Sequence, residues 1–473
     1  MRTTAVSPEP RALSRVAIIA AVGVALLAPA LQAQQRETPP APGTPKNFRV
    51  PASNTVTLGN GMKVTFIPFG KVPKVAMEIE VHTGTIDEGK NDISLAAVMG
   101  DLLLEGTTTR TGPQIAREAA EMGGSVTAAR GSEVMSVSGE VLSNFGAQLV
   151  ALIADVVQHP RFDSADLKRI LDQHARNNAM ALTQPGSIAF KKFREVMYGS
   201  HPFANIYPPE EMLRGFTTTR VREFHTANFG AQRAHLYVSG VFDRRAVEAA
   251  VRTAFNGWNR GAAATVNVPV IAAKQQVALI DRPKSEQSSM VLGVAAPHPG
   301  SPDAVKMQVT DYILGGAFGS RITTNIRESK GFAYSPYSTF MTRKGASIWM
   351  EIADVRTNAT DSSLTEIFKE IDRLRTQDAQ AAELNGIKNN LAGIFTIQNS
   401  SRFGLIGQVQ FVDMHELGDG YLNNYVKNIM AVTPTDVRDM ASKYLDPKKM
   451  SLAIVGDKKL VDPQLGKVKP IVP

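Results

Sequence analysis

The chain contains no cysteine. Disulfide staples, thiolate-held zinc and thiol catalysis are therefore excluded. Tryptophan is nearly absent as well, with two residues, and no dense Lys/Arg run interleaved with aromatics marks a nucleic-acid surface. No nucleic-acid partner is expected. The eight histidines (His82, His159, His174, His201, His225, His235, His298 and His415) never fall three or four residues apart. A helix presents two ligands on one face only at those spacings, so neither H-E-x-x-H nor H-x-x-E-H occurs. Most of these side chains are expected at the surface or at strand ends. A G-x-S-x-G turn is also missing, which removes the usual nucleophilic serine of an α/β sheet. After the N-terminal region, no apolar run approaches the roughly 20 residues that span a bilayer.

What is present begins with 473 residues, 43% hydrophobic and 20% charged, the balance of a soluble globular chain of two or more units. Arg2, Arg11 and Arg15 precede the apolar run Val16 to Ala28, and "PALQAQQ" follows with small residues. This is the layout of a secretory signal peptide over residues 1–33, cleaved after Ala33 or after Ala30. An uncleaved anchor is the competing reading, and the absence of cysteine excludes a lipoprotein. Export places the mature chain in a bacterial periplasm or outside the cell, with no membrane association once the signal is removed. The formal charge of +8 then falls to about +6, because three Arg and one Glu leave with the signal. Residues 34–52 contain "QQRETPPAPGTPK", a Pro-rich linker without core-forming side chains.

Beyond the linker, "VTLGNGMKVTFIPF" alternates around an Asn-Gly turn and predicts a hairpin. "KVAMEIEVHTG" predicts a further strand. Helical periodicity covers Ile93–Leu104, Gly112–Met122, Asn144–Val157 and Ser164–Ala181, before a strand at Ala234–Phe242. The second half starts again with strands in "QQVALIDRP" and "SSMVLGVAAP". Helices follow at Ala304–Leu314 and Ser320–Glu328, strands at Tyr334–Thr342 and Ala346–Ile352, then helices at Ser362–Leu374, Ala381–Ile397 and Asn423–Ile429. The halves also align directly. "TTTRVREFHTANFGAQRAHLYVSG" and "TPTDVRDMASKYLDPKKMSLAIVG" superpose without a gap at an offset of 216 residues. Thr217/Thr433, Val221/Val437, Arg222/Arg438, Leu236/Leu452 and Gly240/Gly456 are identical. Each segment reads as a capped helix, a turn and a core strand, so a duplication is expected.

Two segments invite chemistry. "LGGAFGSR" follows a helix and lacks a Lys-Ser/Thr pair, so it reads as a helix-to-helix turn and not as a phosphate cradle. In "IRESKGFAYSPYSTF", Arg327 and Tyr334 stand seven residues apart across a glycine turn. A guanidinium fork and a phenol could together hold a carbonyl or a developing oxyanion. The alternative is a local pair, with the Arg in solvent and the Tyr packed on a sheet.

Taken together, "VTLGNGMKVTFIP", "VHTGTIDEG" and "DYILGGAFGSRITTNIRESKGFAYSPYS" resemble the pitrilysin and mitochondrial-processing-peptidase family of inverted-motif zinc peptidases, over roughly Val56 to Lys458. The resemblance implies an α+β fold of two homologous domains, here 53–262 and 263–473. Each would be a mainly antiparallel sheet with helices packed on one face, and the two together would form half of a clamshell. It also places the family's zinc helix on "SLAAVMGDLLLEGTTTR". There the motif's two histidines and its glutamate fall on Ala97, Asp101 and Gly100, and the further zinc-binding glutamate falls near Asn177 or Asn178. Zinc and a general base therefore do not carry over, and no cofactor is expected in this chain. The family's substrate-contacting Arg and Tyr do carry over, onto Arg327 and Tyr334. The resemblance thus implies a non-catalytic subunit that contacts peptide substrate in trans, beside a homologous partner carrying zinc. The alternative is an inactive peptidase-like protein serving as a structural or binding member of an assembly.

Overall fold

The computed structural model describes residues 49–264 and 266–471. The expected signal peptide and nearly all of the linker lie outside the described residues.

The first half begins with the hairpin β1 (Asn54–Thr57) and β2 (Lys63–Pro68). Gly61 takes the left-handed backbone of its turn (φ +95°), and the Asn60 side chain donates to the carbonyls of Phe255 and Trp258 at 2.7 and 3.1 Å. Next come β3 (Lys74–Val81), α1 (Leu95–Leu102), α2 (Gly112–Glu121), β4 (Ser125–Arg130), β5 (Met135–Leu142), α3 (Gly146–Gln158), α4 (Ser164–Ala181), α5 (Pro185–Tyr198), α6 (Thr218–Asn228), β6 (Ala234–Gly240) and α7 (Arg244–Phe255). The second half holds β7 (Val277–Asp281), β8 (Gln287–Ala296), α8 (Ala304–Asp311), β9 (Tyr337–Arg343), β10 (Ala346–Arg356), α9 (Thr360–Thr376), α10 (Ala381–Gln398), α11 (Arg402–His415), α12 (Tyr421–Ala431), α13 (Pro434–Tyr444), β11 (Ser451–Gly456) and α14 (Lys458–Leu465).

Two mixed sheets result, ordered β1-β2-β6-β3-β5-β4 and β7-β11-β8-β10-β9. Apart from the extra edge strand β1, they are the same sheet twice. Each has one parallel pair (β2 with β6, β7 with β11), and every other pair is antiparallel. The late strand reaches its parallel neighbour only after the helices have crossed over, as parallel pairing requires. Helix lengths repeat as well: α4 and α10 have 18 residues each, α5 and α11 have 14, and α6 and α13 have 11. Thr217 and Thr433 cap α6 and α13, each accepting from the backbone N–H three residues on. The fold is therefore the expected pair of homologous α+β units, each a mainly antiparallel sheet.

One helical face per sheet is not the whole arrangement. Leu149, Ile153, Val247 and Val251 of α3 and α7 fill the first core with the sheet residues Met77 and Ile79. The other face of each sheet receives a helix from the opposite half. On α5, Ala189, Phe193 and Met197 bury themselves among Val291, Ile348, Met350 and Val455 of the second sheet. Leu405 and Ile406 of α11 pack on Ile67, Ala76 and Tyr237 of the first. Gly293 makes room for this exchange, since a Cβ there would lie 2.5 Å from the Phe193 ring and 2.6 Å from the Trp349 carbonyl. The described residues accordingly form one compact unit. Among the described residues, no helix is long and apolar enough to cross a membrane.

The β4–β5 hairpin, α5 and α11 are not among the expected elements. β4, "SVTAAR", carries few β-branched residues because it is a mostly exposed edge strand. The strand expected from Tyr334 starts at Tyr337. A single bridge joins Ala333 to Val355, and then Pro336, which has no N–H to donate, interrupts the ladder. The helix expected at Ser320–Glu328 winds with wider π turns over Thr323–Ser329.

Candidate functional site

Helix α1 is built to stay in place. Glu88 caps its N-terminus, accepting from the backbone N–H of Ser94 at 3.1 Å and of Ala96 at 2.9 Å. Burial raises the Glu88 carboxyl to about 7. Leu95, Val98, Met99 and Leu102 are buried in the first core. Along the rest of the helix surface, Ala97 is half-buried and Gly100 lies against the β4–β5 hairpin. A Cβ on Gly100 would stand 2.9 Å from Met135 Cε and 3.4 Å from Arg130 Cβ. Asp101 is fully engaged: Oδ1 pairs with the Arg130 guanidinium at the end of β4, and Oδ2 lies 2.7 Å from His174 Nε2 on α4. One carboxylate thus ties a helix, a second helix and an edge strand together.

These residues do not fit zinc. A site with an open position for water needs about three protein ligands, typically imidazoles and a carboxylate. Here the first position is an alanine and the general-base position is a crowded glycine. The remaining carboxylate already serves a guanidinium and an imidazole. Among the described residues, no group of three or more His, Asp or Glu is placed to hold a metal. Asn177 and Asn178 lie on α4, and the α4 side chain that reaches Asp101 is His174, one turn earlier. Of the eight histidines, His159 is exposed, His82 directly follows β3 and His235 is the second residue of β6, while others are partly enclosed. The His174 side chain is 11% exposed, and burial lowers the pKa of His225 and His235 to about 4 and about 3.

The second locus follows α8, whose last turn widens into a π turn over Tyr312–Gly316. Buried polar side chains explain the glycines there. A Cβ on Gly315 would lie 2.5 Å from Ser338 Oγ and 2.8 Å from Glu351 Oε2, and one on Gly316 would lie 2.5 Å from Asp311 Oδ2. Asp311 accepts from Ser338 Oγ at 2.5 Å and from Trp349 Nε1 at 2.7 Å, and burial raises it to about 6. Glu351 is 1% exposed, and neither of its oxygens has a hydrogen-bond partner among the described residues. Burial, and then the charge of Asp311, push its carboxyl well above the usual range, so it is held neutral.

Beyond this turn the chain is pinned by ion pairs and amide contacts. Arg321 makes a two-pronged pair with Glu383 at 2.8 and 2.7 Å. Asn325 donates to Glu366 and Glu370, both at 2.8 Å. The next turn presents Arg327, Gly331 takes a left-handed backbone (φ +61°), and the chain returns at Tyr334. The structure brings Arg327 and Tyr334 together, with the guanidinium carbon 5.5 Å from the phenol ring centre. It adds a residue that the sequence reading passed over: the Phe318 ring centre is 4.7 Å from the same carbon. The signal was available, as an aromatic between glycines in "GGAFGS". Tyr334 and Phe318 are 79% and 78% exposed. Arg327 pairs only with its neighbour Glu328, at 3.1 Å, and the Tyr334 hydroxyl has no hydrogen-bond partner among the described residues. The ion pair engages Arg327 Nε, which leaves the terminal guanidinium donors and the Tyr334 hydroxyl for a ligand. Close by in the chain, at the start of edge strand β9, Tyr337 lines a cavity of about 1460 Å³ with Val291, Ile352, Asp354 and Arg356.

Two duplicated α+β units of this topology are those expected of a peptidase-like chain. Family models agree with this reading. One, described as "Insulinase (Peptidase family M16)", matches residues 70–207, and another, "Peptidase M16 inactive domain", matches residues 215–391. Together they take in most of the chain, which belongs to the M16 peptidase family, the pitrilysin group. A relative from Mycobacterium bovis named "Uncharacterized zinc protease" is 24% identical over 422 residues, covering 86% of this chain and 93% of the relative. One of the same name from Bacillus subtilis is 22% identical over 340 residues, covering 71% and 82%. Among solved structures, a peptidase M16 inactive domain from Pseudomonas fluorescens superposes with a TM-score of 0.79 at 23% identity, covering 85% of this chain and 98% of that one. A protease from Helicobacter pylori superposes with a TM-score of 0.80 at 16% identity, covering 86% and 100%. At these identities the two superpositions establish the fold.

Proposed function

We propose that this chain is the non-catalytic subunit of a heterodimeric, periplasmic zinc metallopeptidase. In this reading a homologous partner carries zinc and its water, and supplies the nucleophile and the Lewis acid. This chain supplies Arg327 and Tyr334. The observation that carries the proposal is a contrast between the halves. The zinc-helix positions Ala97, Gly100 and Asp101 are blank, crowded or engaged, whereas Arg327 and Tyr334 stand side by side with free donors.

The chemistry asked of the pair is electrostatic. A peptide laid as an added strand along a sheet edge of the partner would present one carbonyl to the Arg327 fork and the Tyr334 hydroxyl. As attack converts that carbonyl to an oxyanion, both hydrogen bonds strengthen, and removing one such donor typically slows a reaction about 10²–10³-fold. The chain by itself binds no stoichiometric zinc and cuts no peptide.

The test is co-expression of the exported chain with an H-x-x-E-H relative encoded beside it. The pair, each chain alone, and pairs carrying Arg327→Ala or Tyr334→Phe are compared for peptide cleavage. The proposal expects activity in the pair and a loss of about 10²-fold or more with Arg327→Ala. A zinc chain that is fully active alone, or substitutions without effect, would overturn it. So would stoichiometric zinc in this chain alone. The second reading, an inactive structural or binding protein, is favoured by the tight engagement of Asp101, and it expects a stable complex without cleavage.

A further inference from the structure

We infer that Phe318 is a specificity-determining residue of this same site, receiving an apolar side chain of the peptide next to the carbonyl that Arg327 and Tyr334 hold. The inference rests on the reading of Arg327 and Tyr334 as peptide contacts.

Three observations lead to it. First, Phe318 is a large apolar ring left 78% exposed at the tip of a turn, while Ile313, Leu314 and Ile322 on either side are fully buried in the second core. The turn is therefore anchored at both ends, and Phe318 is displayed on it. Second, the ring is not isolated: it lies in cation–π range of Arg327, as Tyr334 does, so two exposed aromatics and one guanidinium share a single patch. Third, the glycines beneath are required by packing. Gly315 and Gly316 pass directly over Glu351 and Asp311, with no space for a side chain, whereas Gly319 has nothing within 4 Å of a Cβ. The backbone is thus held low against the acid pair, and the Phe318 ring stands out of it.

The chemistry of the patch selects its ligand. Guanidinium and phenol take a backbone carbonyl, which every peptide offers, so they cannot discriminate among sequences. An exposed phenyl face beside them gains from covering an apolar side chain and gains nothing from glycine. The ligand class is an extended peptide with Leu, Phe or a similar residue beside the scissile bond.

The experiment uses the co-expressed pair and two fluorogenic peptides, identical except for Leu or Gly at the positions flanking the cleaved bond. The wild-type pair is expected to prefer Leu by about tenfold or more in kcat/KM. Phe318→Ala is expected to bring that ratio below about twofold, and Phe318→Leu to retain most of it. Arg327→Ala is expected to slow both peptides alike. A Leu/Gly ratio unchanged by Phe318→Ala, while Arg327→Ala still slows cleavage, overturns the inference and spares the reading beneath it. Full activity in Arg327→Ala and Tyr334→Phe pairs, or no cleavage by any pair, overturns both. Because Phe318 is exposed, an unchanged thermal midpoint for Phe318→Ala separates lost recognition from lost folding.

Discussion

Replacing Asp311 with asparagine isolates the energetics of the carboxyl pair under the glycine turn. Asparagine keeps the shape and keeps an oxygen to accept from Ser338 and Trp349, but it cannot ionise. In the folded chain the Asp311 carboxyl titrates at about 6 instead of its ordinary 3.8. That is a difference of roughly two pH units, or about 3 kcal/mol. The sign follows from proton binding. Between pH 3.8 and about 6 the folded state holds a proton that the unfolded state has released, so stability falls as pH rises through this window. The stabilisation is complete below the unfolded value and lost above the folded one. The Asp311→Asn side chain mimics the protonated form at every pH. The variant should therefore match the wild type near pH 4 and exceed it by up to about 3 kcal/mol at pH 7. Urea unfolding at intervals from pH 4 to 8 gives both curves, and fluorescence of the fully buried Trp349 reports on this half of the molecule. Other raised carboxyls, such as Glu80 at about 8 and Glu88 at about 7, are common to both proteins and cancel in the difference. A flat difference across the range, or a variant less stable than wild type at pH 7, would refute the reasoning.

Further substitutions probe other parts of the structure. Phe193→Ala empties a fully buried position between α5 and the second sheet and should cost about 3–5 kcal/mol in urea unfolding. A loss below about 1 kcal/mol would mean that α5 does not hold the second sheet. Asp101→Ala leaves Arg130 and His174 without their shared acceptor, so hydrogen exchange should rise along β4 while the central strands β3 and β6 stay protected. Equal changes in all strands would remove the special role given to that carboxylate. Thr433→Ala opens the capping box at the start of α13 and should destabilise by about 1 kcal/mol in the same unfolding assay, with Thr217→Ala on α6 giving a similar value.

Much of the chain is legible from local pattern. The hairpin around Asn60-Gly61, the helix Ser164–Ala181 and the repeat linking Thr217–Gly240 to Thr433–Gly456 follow from turn chemistry, apolar period and capping residues, which act over a few neighbours. The expected zinc positions Ala97, Gly100 and Asp101 and the spacing of Arg327 from Tyr334 are read from residue identity alone. Tertiary structure decided the rest. Periodicity shows that α5 and α11 have apolar faces, but not that each crosses to cover the other half's sheet, because any apolar surface satisfies the pattern. Asp101 meets His174 across 73 residues, and Phe318 meets Arg327 around a glycine turn, through packing that no spacing rule encodes. Nor does the sequence reveal that Gly315 and Gly316 must be small. At Gly315 that requirement comes from Ser338 and Glu351, brought beneath it only when strands β9 and β10 take their places in the sheet, and at Gly316 from Asp311 at the end of α8.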